Sequence, residues 1–393
     1  MRISYRMAVL AALLGSVAIV GARADSQSST KQQSVAYQID PAHDGQAQVR
    51  HLNPPFKQVW SVDLGAPVSY PLIADGRVFV TVANSEGYGT QLYALDRVSG
   101  AKLWHKAISG TYLWSNAAYE NGQVFVVNFD GLLKAFDAAT GNLDWSVQLP
   151  GQYAFSAPPT ASGGQVFVGG AGSGGTLYAV DESNGHVNWT NAVENGDESS
   201  PAVGGGGVYV SYPCQVYSFA PITGQQRWHY SGNCEGGGGK TAVYSSKRLF
   251  SRDSGNNLIF DSKTGNVVGP FSALTAPAVF KDASRTLIEV ALWNGVLSAI
   301  NVATGEVLWT FKGDNSLVTA PLVINGNVIE GANSGNLYAL DGDTGSVLWS
   351  TDVGSSIPGP DEQNVSQPLT GLGAGERTLV VPAGNIVYAF KGK

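Results

Sequence analysis

The chain has 393 residues, of which 43% are hydrophobic and 13% are charged, and its formal net charge is −7. This composition supplies enough apolar material for a large core. An acidic chain without a basic run lacks the usual features of proteins that bind nucleic acid or anionic membrane surfaces. We therefore expect no nucleic-acid partner.

The first 24 residues have the pattern of an export signal. Arg2 and Arg6 give a basic start, residues 7–20 form a short apolar run, and Ala22-Arg23-Ala24 matches an A-x-A cleavage site. The apolar run is short for a transmembrane helix, and no Cys lies nearby as a lipid-attachment site. The pattern predicts cleavage before Asp25, a periplasmic or secreted location, and no membrane anchor.

Residues 25–56 form a polar N-terminal segment that precedes the main domain, residues 57–393. Residues 26–33 have the composition of a disordered tether, whereas residues 37–45 are more patterned and are expected to lie across one face of the domain. We expect residues 25–50 to be dispensable for folding.

From residue 57 onward one phrase recurs with a period near forty residues. Its core, Asp-x-x-x-Gly-x-x-x-Trp, is typical of a strand, a turn in which Gly supplies a positive φ, and a second strand. The clear copies are Asp96/Gly100/Trp104, Asp137/Gly141/Trp145, Asp181/Gly185/Trp189 and Asp341/Gly345/Trp349. Weaker copies are Ala220/Gly224/Trp228 and Asn301/Gly305/Trp309, and the copy Asp261/Gly265 has lost its Trp. Such a period predicts propeller blades.

Each unit also carries a Ser/Thr-x-Pro phrase, a Gly turn and a β-branched or aromatic strand, which indicates four antiparallel strands per blade. The half-copy at residues 387–390 has no Trp strand after it, and residues 57–64 contain a Trp strand with no partner before it. We predict that these two segments pair and close an all-β, eight-bladed β-propeller. Closure removes two exposed strand edges, and deletion through Leu64 is therefore expected to open the ring.

The phrase from Ala135 to Trp145 resembles the tryptophan-docking repeat of the pyrroloquinoline quinone (PQQ) propeller family, and the resemblance covers roughly residues 57–393. In that family the repeat Trp packs between neighbouring blades. The resemblance implies the same structural role for Trp60, Trp104, Trp145, Trp189, Trp228, Trp309 and Trp349.

The only two cysteines are Cys214 and Cys234, at neighbouring strand ends of the fourth blade. Two cysteines in an exported chain usually pair, and a loop of this size contributes about 3 kcal/mol in the chain-entropy model. The alternative, a metal or redox pair, lacks CxxC spacing and a nearby His. We predict an intrachain disulfide.

No known catalytic or metal-binding motif is present, and we predict neither catalytic residues nor a metal site. The innermost strand of each blade should face the central channel. The position two before its Pro holds a small hydroxyl in seven blades and Lys240 in the fifth: Ser69, Ser115, Ser156, Ser199, Thr275, Thr319 and Ser366. With the aromatic and acidic residues beside this ring, the sequence gives a candidate binding funnel of Trp114, Tyr153, Phe155, Glu198 and Lys240.

Two interpretations of this funnel remain open. In the first, the hydroxyls satisfy backbone groups and the aromatic side chains cover the rim. In the second, the funnel binds a ligand or peptide, with Lys240 as the cation and the aromatic rings as stacking walls. A partner is expected on the face that carries the inter-blade connections, which also includes Tyr112, Asp197, Glu235 and residues 354–364.

The family resemblance implies two functions. PQQ enzymes hold the quinone over the funnel and add a Ca²⁺ site, a catalytic Asp and often an adjacent Cys pair, which this sequence lacks. In length, export signal and unelaborated blades the chain is similar to the BamB family of periplasmic scaffold subunits in outer-membrane protein assembly, although those proteins are lipid-anchored. We predict a non-catalytic, protein-binding scaffold that is monomeric by itself and binds no PQQ. A PQQ-dependent dehydrogenase is the alternative.

Overall fold

The computed structural model describes residues 32–171, 174–196, 198–233, 238–252 and 257–393. The predicted export signal lies outside these ranges, as do Asp197, Cys234 and Glu235. Within them, no helix is long and apolar enough to cross a membrane.

Eight sheets form the blades of a propeller, as the repeats predict. Two strands precede the first complete blade: β1 (Gln46–Ala47) and β2 (Lys57–Asp63). Blade 1 contains β3 (Leu72–Ala74), β4 (Arg77–Ala83), β5 (Thr90–Asp96) and β6 (Lys102–Ile108), and blade 2 contains β7 (Ser115–Glu120), β8 (Gln123–Asn128), β9 (Leu132–Asp137) and β10 (Leu143–Gln148). Blade 3 contains β11 (Thr160–Ser162), β12 (Gln165–Gly170), β13 (Thr176–Asp181) and β14 (Val187–Ala192), and blade 4 contains β15 (Ala202–Gly204), β16 (Gly207–Tyr212), β17 (Gln215–Phe219) and β18 (Gln226–Ser231).

The remaining four blades follow the same order. Blade 5 contains β19 (Val243–Ser245), β20 (Arg248–Ser251), β21 (Leu258–Asp261) and β22 (Val267–Pro270), and blade 6 contains β23 (Ala278–Lys281), β24 (Leu287–Trp293), β25 (Val296–Asn301) and β26 (Val307–Phe311). Blade 7 contains β27 (Leu322–Ile324), β28 (Asn327–Gly331), β29 (Asn336–Asp341) and β30 (Val347–Asp352), and blade 8 contains β31 (Gly373–Gly375), β32 (Thr378–Ala383) and β33 (Ile386–Lys391). Blade 8 takes β2 as its fourth strand.

The predicted closure is confirmed in the pairing of β2 with β33. The two strands are antiparallel, with Trp60 opposite Ala389 and Asp63 opposite Ile386. The ring has two faces. The connection face carries the inter-blade connections and the turns between second and third strands. The turn face carries the Thr-Gly turns and the turns between first and second strands.

Six of the repeat tryptophans contact the next blade in the same way. Each indole Nε1 donates a hydrogen bond, 2.7–3.3 Å long, to the carbonyl after the repeat Asp position of that blade. Each indole ring also covers the Thr-Gly glycine; a Cβ on Gly345 would lie 2.7 Å from Trp309 Cδ2. The seventh, Trp349, packs against Phe56 and Phe390 instead.

Blade 5 has no repeat Trp, and the glycine that such a residue would cover is therefore open. A Cβ on Gly305 would meet nothing within 4 Å, although its φ of +72° matches the +70° of Gly345. These two glycines differ in indole contact but not in backbone conformation.

Substitution of these two glycines should separate the cost of a positive φ from the cost of displacing an indole ring. Gly305→Ala should lower the free energy of unfolding by about 1 kcal/mol, the cost of an L residue at positive φ. Gly345→Ala should cost about 2–4 kcal/mol, because the new methyl group also displaces the Trp309 indole. Urea denaturation of both variants measures this difference. Equal losses would show that the indole contact does not constrain this turn.

Residues 32–47, which we call the plug, close the channel at the turn face. Backbone hydrogen bonds connect the plug to the innermost strands of seven blades: Glu376 N to Gln32 O, Ile73 N to Ser34 O, Ser34 N to Ile73 O, Tyr119 N to Val35 O, Val203 N to Pro41 O, Tyr244 N to Ala42 O, Val279 N to Asp44 O, Val323 N to Gly45 O and Asn325 N to Ala47 O. The blade without such a bond, blade 3, contacts the plug through Thr160 Oγ1 and His43 Nε2, 3.2 Å apart.

The plug is integral to the ring rather than attached to its surface. Tyr37 and His43 are fully buried, and β1 adds to blade 7 as a fifth strand, parallel to β27. The sequence did not predict this strand. We therefore revise the expectation that residues 25–50 are dispensable for folding.

Candidate functional site

The connection between blades 7 and 8, residues 354–372, covers the channel at the connection face, and we call it the cap loop. Glu362 bonds to blade 5, Val365 packs on the cluster between blades 2 and 3, and the Leu369 carbonyl accepts a hydrogen bond of 2.8 Å from Tyr70 N of blade 1. These contacts lie on widely separated blades of the ring. The cap loop therefore spans the mouth of the funnel.

A buried ion pair fixes the cap loop at blade 5. Arg252 Nη2 donates a hydrogen bond to Glu362 Oε1, and Glu362 Oε2 accepts one of 2.6 Å from Thr241 N. The guanidinium also donates to the carbonyls of Leu274 and Thr241 at 3.0 and 3.2 Å. Burial alone would raise the pKa of Glu362. The adjacent Arg252 charge and the hydrogen bonds outweigh burial, and the pKa of Glu362 is lowered from its usual 4.5.

The plug and the cap loop come close together inside the channel. A Cβ on Gly371 of the cap loop would lie 3.3 Å from Tyr37 Cε2 of the plug, and burial, followed by the Glu362 carboxylate, raises the pKa of Tyr37 well above its usual value. On the connection side, a Cβ on Gly238 would overlap the Gln363 side chain. Residues of the cap loop therefore cover the mouth of the funnel.

The structure distributes the five predicted funnel residues differently from the expectation. Tyr153 is exposed, and Glu198 and Lys240 are half-buried ahead of the innermost strands of blades 4 and 5. Trp114 and Phe155 are only 2% and 0% exposed, and they belong to the apolar cluster beneath Val365. Their predicted role as exposed stacking walls is therefore wrong.

Three hydroxyls of the ring bond to the backbone of their own blades. Ser69 Oγ, Ser199 Oγ and Thr319 Oγ1 each accept a hydrogen bond from a backbone N–H of the adjacent second strand, at 2.9, 3.0 and 2.8 Å. Unpaired buried N–H groups are costly, and these hydroxyls satisfy them. The geometry favours the structural interpretation of the ring over the ligand-binding one.

Four large aromatic side chains are exposed on the connection face. Tyr88 is 76% exposed, Tyr112 43%, Tyr153 69% and Trp293 45%. Sequence reasoning missed Tyr88 and Trp293. Tyr88 lies between two glycines in the turn after β4, and Trp293 ends β24, just before the Asn294-Gly295 turn. The signal that could have found them is an aromatic residue in a polar turn, where it has no core to fill.

The predicted disulfide and the prediction of no metal site both stay predictions. Cys214 lies in a turn of blade 4 with a φ of +61°, but Cys234 is outside the described residues, and the pairing stays a prediction. Among the residues that the structure describes, no three His, Cys, Asp or Glu side chains are grouped to hold a metal ion.

Comparison with known proteins gives relatives of two kinds. The dehydrogenase subunit of a quinone-dependent alcohol dehydrogenase from Gluconacetobacter polyoxogenes is 26% identical over 332 residues, covering 74% of this chain and 41% of that protein. BamB from Yersinia pestis is 26% identical over 285 residues, covering 66% of this chain and 63% of that protein. The chain thus spans less than two thirds of either relative.

Structural comparison shows the shared fold. A europium-containing methanol dehydrogenase has a TM-score of 0.72 at 15% identity, covering 92% of this chain and 98% of that chain. The family described as outer membrane protein assembly factor BamB matches residues 45–156, 89–234, 152–276 and 283–393. Since these matches cover most of the sequence, the chain belongs to the BamB-type family of PQQ-repeat β-propellers.

Proposed function

We propose that the chain is an exported, non-catalytic β-propeller that binds a protein or peptide partner through its connection face. The observation that carries this proposal is the distribution of exposed aromatic residues. Among the exposed large hydrophobic side chains of the described residues, the aromatic ones all lie on the connection face: Tyr88, Tyr112, Tyr153 and Trp293. Tyr and Trp are the residue types that most often form binding hot spots.

Three of these side chains, Tyr88, Tyr112 and Tyr153, form what we call the tyrosine patch on blades 1 to 3. Gly89 N donates a hydrogen bond of 2.9 Å to the Tyr112 carbonyl, which joins the turn of blade 1 to the next connection. The Tyr112 ring lies 4.3 Å from the Phe129 ring, centroid to centroid. Tyrosines held in this way offer a large contact area at a low cost in conformational entropy.

The relatives support both the scaffold role and the exported location. BamB is by name an assembly factor for outer membrane proteins, and assembly factors act through contacts with other proteins. The apolar run and cleavage pattern of residues 1–24 are consistent with export. We therefore place the chain in the periplasm or outside the cell.

A PQQ-dependent dehydrogenase is the second candidate function. Sequence identity does not separate the two candidates, because the dehydrogenase relative and BamB are both 26% identical to this chain. The cap loop supports the scaffold, because Glu362 and Gln363 lie over the funnel, where the family resemblance implies that PQQ enzymes hold the quinone. Reconstitution with PQQ and Ca²⁺ followed by a dye-reduction assay with alcohols and sugars should give no turnover. Turnover with stoichiometric PQQ would establish the dehydrogenase instead.

Site-specific photo-crosslinking tests the binding face directly. A crosslinking amino acid at Tyr88 or Tyr153 should give a discrete protein product in cells, because both side chains are exposed on the proposed interface. The same amino acid at Ser346, which is exposed on the turn face, provides the matched control. Crosslinks of equal yield from Ser346, or none from the tyrosine patch, would contradict the proposed face.

The tyrosine patch can also be tested by substitution. The double variant Tyr88→Ser/Tyr153→Ser should reduce crosslinking from Tyr112 by about tenfold or more, the usual effect of removing hot-spot residues. Since both side chains are largely exposed, the melting temperature should not change. An unchanged crosslinking yield would exclude the tyrosine patch as the interface.

A further inference from the structure

The turn face has a basic cavity of about 260 Å³ at the junction of blades 8 and 1. Three of the six residues that line it are the cations Arg97, Arg377 and Lys391, and the others are His51, Val98 and Gly392. The nearby Glu376 pairs with Arg97, with 3.3 Å between Nε and Oε2. Three cations and one carboxylate leave a local formal charge of +2, whereas the whole chain carries −7.

Each of these cations departs from the chain's own repeat. Arg97 follows the repeat Asp, where the other blades have Ala138, Glu182, Pro221, Ser262, Val302 and Gly342. Arg377 occupies the turn position that is glycine in five other blades: Gly76, Gly122, Gly164, Gly206 and Gly326. Lys391 replaces the repeat Asp itself, as comparison with Asp341 shows. Three separate departures add positive charge to one cavity.

Two of these departures work against stability. Arg377 has a φ of +67°, a conformation that costs an L residue about 1 kcal/mol but costs glycine nothing. Lys391 lies directly opposite Lys57 in the pairing of β2 with β33, and like charges in that position repel. Binding sites are where proteins retain such unfavourable features.

The cavity also contains a guanidinium that is already fixed in place. Arg97 Nη1 donates a hydrogen bond of 3.0 Å to Thr378 Oγ1, and its Nε lies beside Glu376 Oε2. Glu376 Oε2 in turn accepts a hydrogen bond of 2.8 Å from Gly76 N. Arg377 and Lys391 are exposed beside it. One hydrogen-bonded and two exposed cations suit a multiply charged oxyanion, and the planar guanidinium fork matches phosphate oxygens.

We propose that this cavity binds a phosphate-bearing ligand, with Arg97 as the fixed anchor and Arg377 and Lys391 completing the site. A soluble phosphate compound and a phosphomonoester lipid headgroup share this chemistry. The two sources differ in whether the charged group is presented free or on a membrane surface.

Pyrophosphate titration by calorimetry at low ionic strength tests the soluble source. Phosphatidylcholine vesicles with and without phosphatidic acid, in a sedimentation assay, test the lipid source. Arg377→Gly and Lys391→Asp restore residue types that the repeat tolerates at these positions. Each should weaken binding by about tenfold or more, the effect of losing one charge-assisted contact. Lys247→Gly is the matched control, because Lys247 has the same turn position in blade 5 and a φ of +69°.

Every outcome decides the proposal. Pyrophosphate or phosphatidic-acid binding that is weakened by Arg377→Gly and Lys391→Asp, but not by Lys247→Gly, supports the site and identifies the source. Binding to neither probe, or equal weakening by Lys247→Gly, would overturn it. Selective binding of an acidic peptide in place of both phosphate probes would overturn the ligand class.

Discussion

A chain that begins at Gln48 should unfold at a temperature at least about 10 °C lower than a chain that begins at Gln32. The first chain lacks the plug and the second retains it. Removal of the plug eliminates nine backbone hydrogen bonds to the blades, each worth about 1 kcal/mol net. Removal of the plug also exposes apolar surface, because side chains such as Tyr37 and Ile39 are buried, whereas freeing the plug residues recovers conformational entropy. We expect a net loss on the order of 5 kcal/mol.

Differential scanning calorimetry of the two chains measures this effect, with circular dichroism as a check that both are folded at low temperature. A third chain that begins at Gly65 also lacks β2 and should be destabilised further, because blade 8 then loses its fourth strand. Equal unfolding temperatures for the chains beginning at Gln32 and Gln48 would show that the plug only fills space.

Glu362→Gln should lower the free energy of unfolding by about 3–5 kcal/mol, because it leaves the buried Arg252 guanidinium without a counter-charge. The double variant Arg252→Met/Glu362→Gln should recover most of this loss, since no unpaired charge remains. Chemical denaturation of both variants and the wild type completes the cycle. A double variant as unstable as Glu362→Gln would mean that the ion pair is not what holds the cap loop.

The same ion pair predicts a pH dependence. The folded-state pKa of Glu362 lies below the usual 4.5, so its contribution is fully present above about pH 4.5. The contribution is lost as the pH falls through the folded-state value, where the carboxylate becomes protonated. The advantage of the wild type over Glu362→Gln should therefore shrink as the pH falls below about 4.5. An advantage that is constant down to pH 3 would contradict this assignment.

The blades could be predicted from the sequence, and so could the position of residues 37–45 across one face, whereas the bonds of the plug to the blades and the cap loop could not. The repeat is recognisable in the sequence because each turn needs an Asp, a glycine at positive φ and a Trp at fixed spacing. The plug leaves no such signal. Its hydrogen bonds come from main-chain N–H groups, such as those of Ile73 and Val203. Such a group is present whatever the side chain, so these bonds leave no pattern in the sequence. The cap loop likewise has no periodic pattern.

The candidate site was only partly predictable for a related reason. An aromatic residue at the start of an innermost strand shows from the sequence that it lies near the funnel. Whether it is exposed depends on what packs over it, and Trp114 belongs to an apolar cluster against which Val365, more than 200 residues later in the chain, packs. Tyr153 is exposed. Single-sequence patterns locate such residues but not their long-range neighbours.

The pairing of β2 with β33 also sets the order in which the molecule can fold. Lys57 and its partner Lys391 are 391 − 57 = 334 residues apart, and contacts of such separation form slowly because the entropy of loop closure opposes them. Blades made of neighbouring strands can form early, but the eighth must wait for the last residues of the chain. Until then β33 and β2 each have an unpaired edge, and such edges pair readily with other chains. The ring-closing step therefore determines how long a newly synthesised molecule is prone to aggregation.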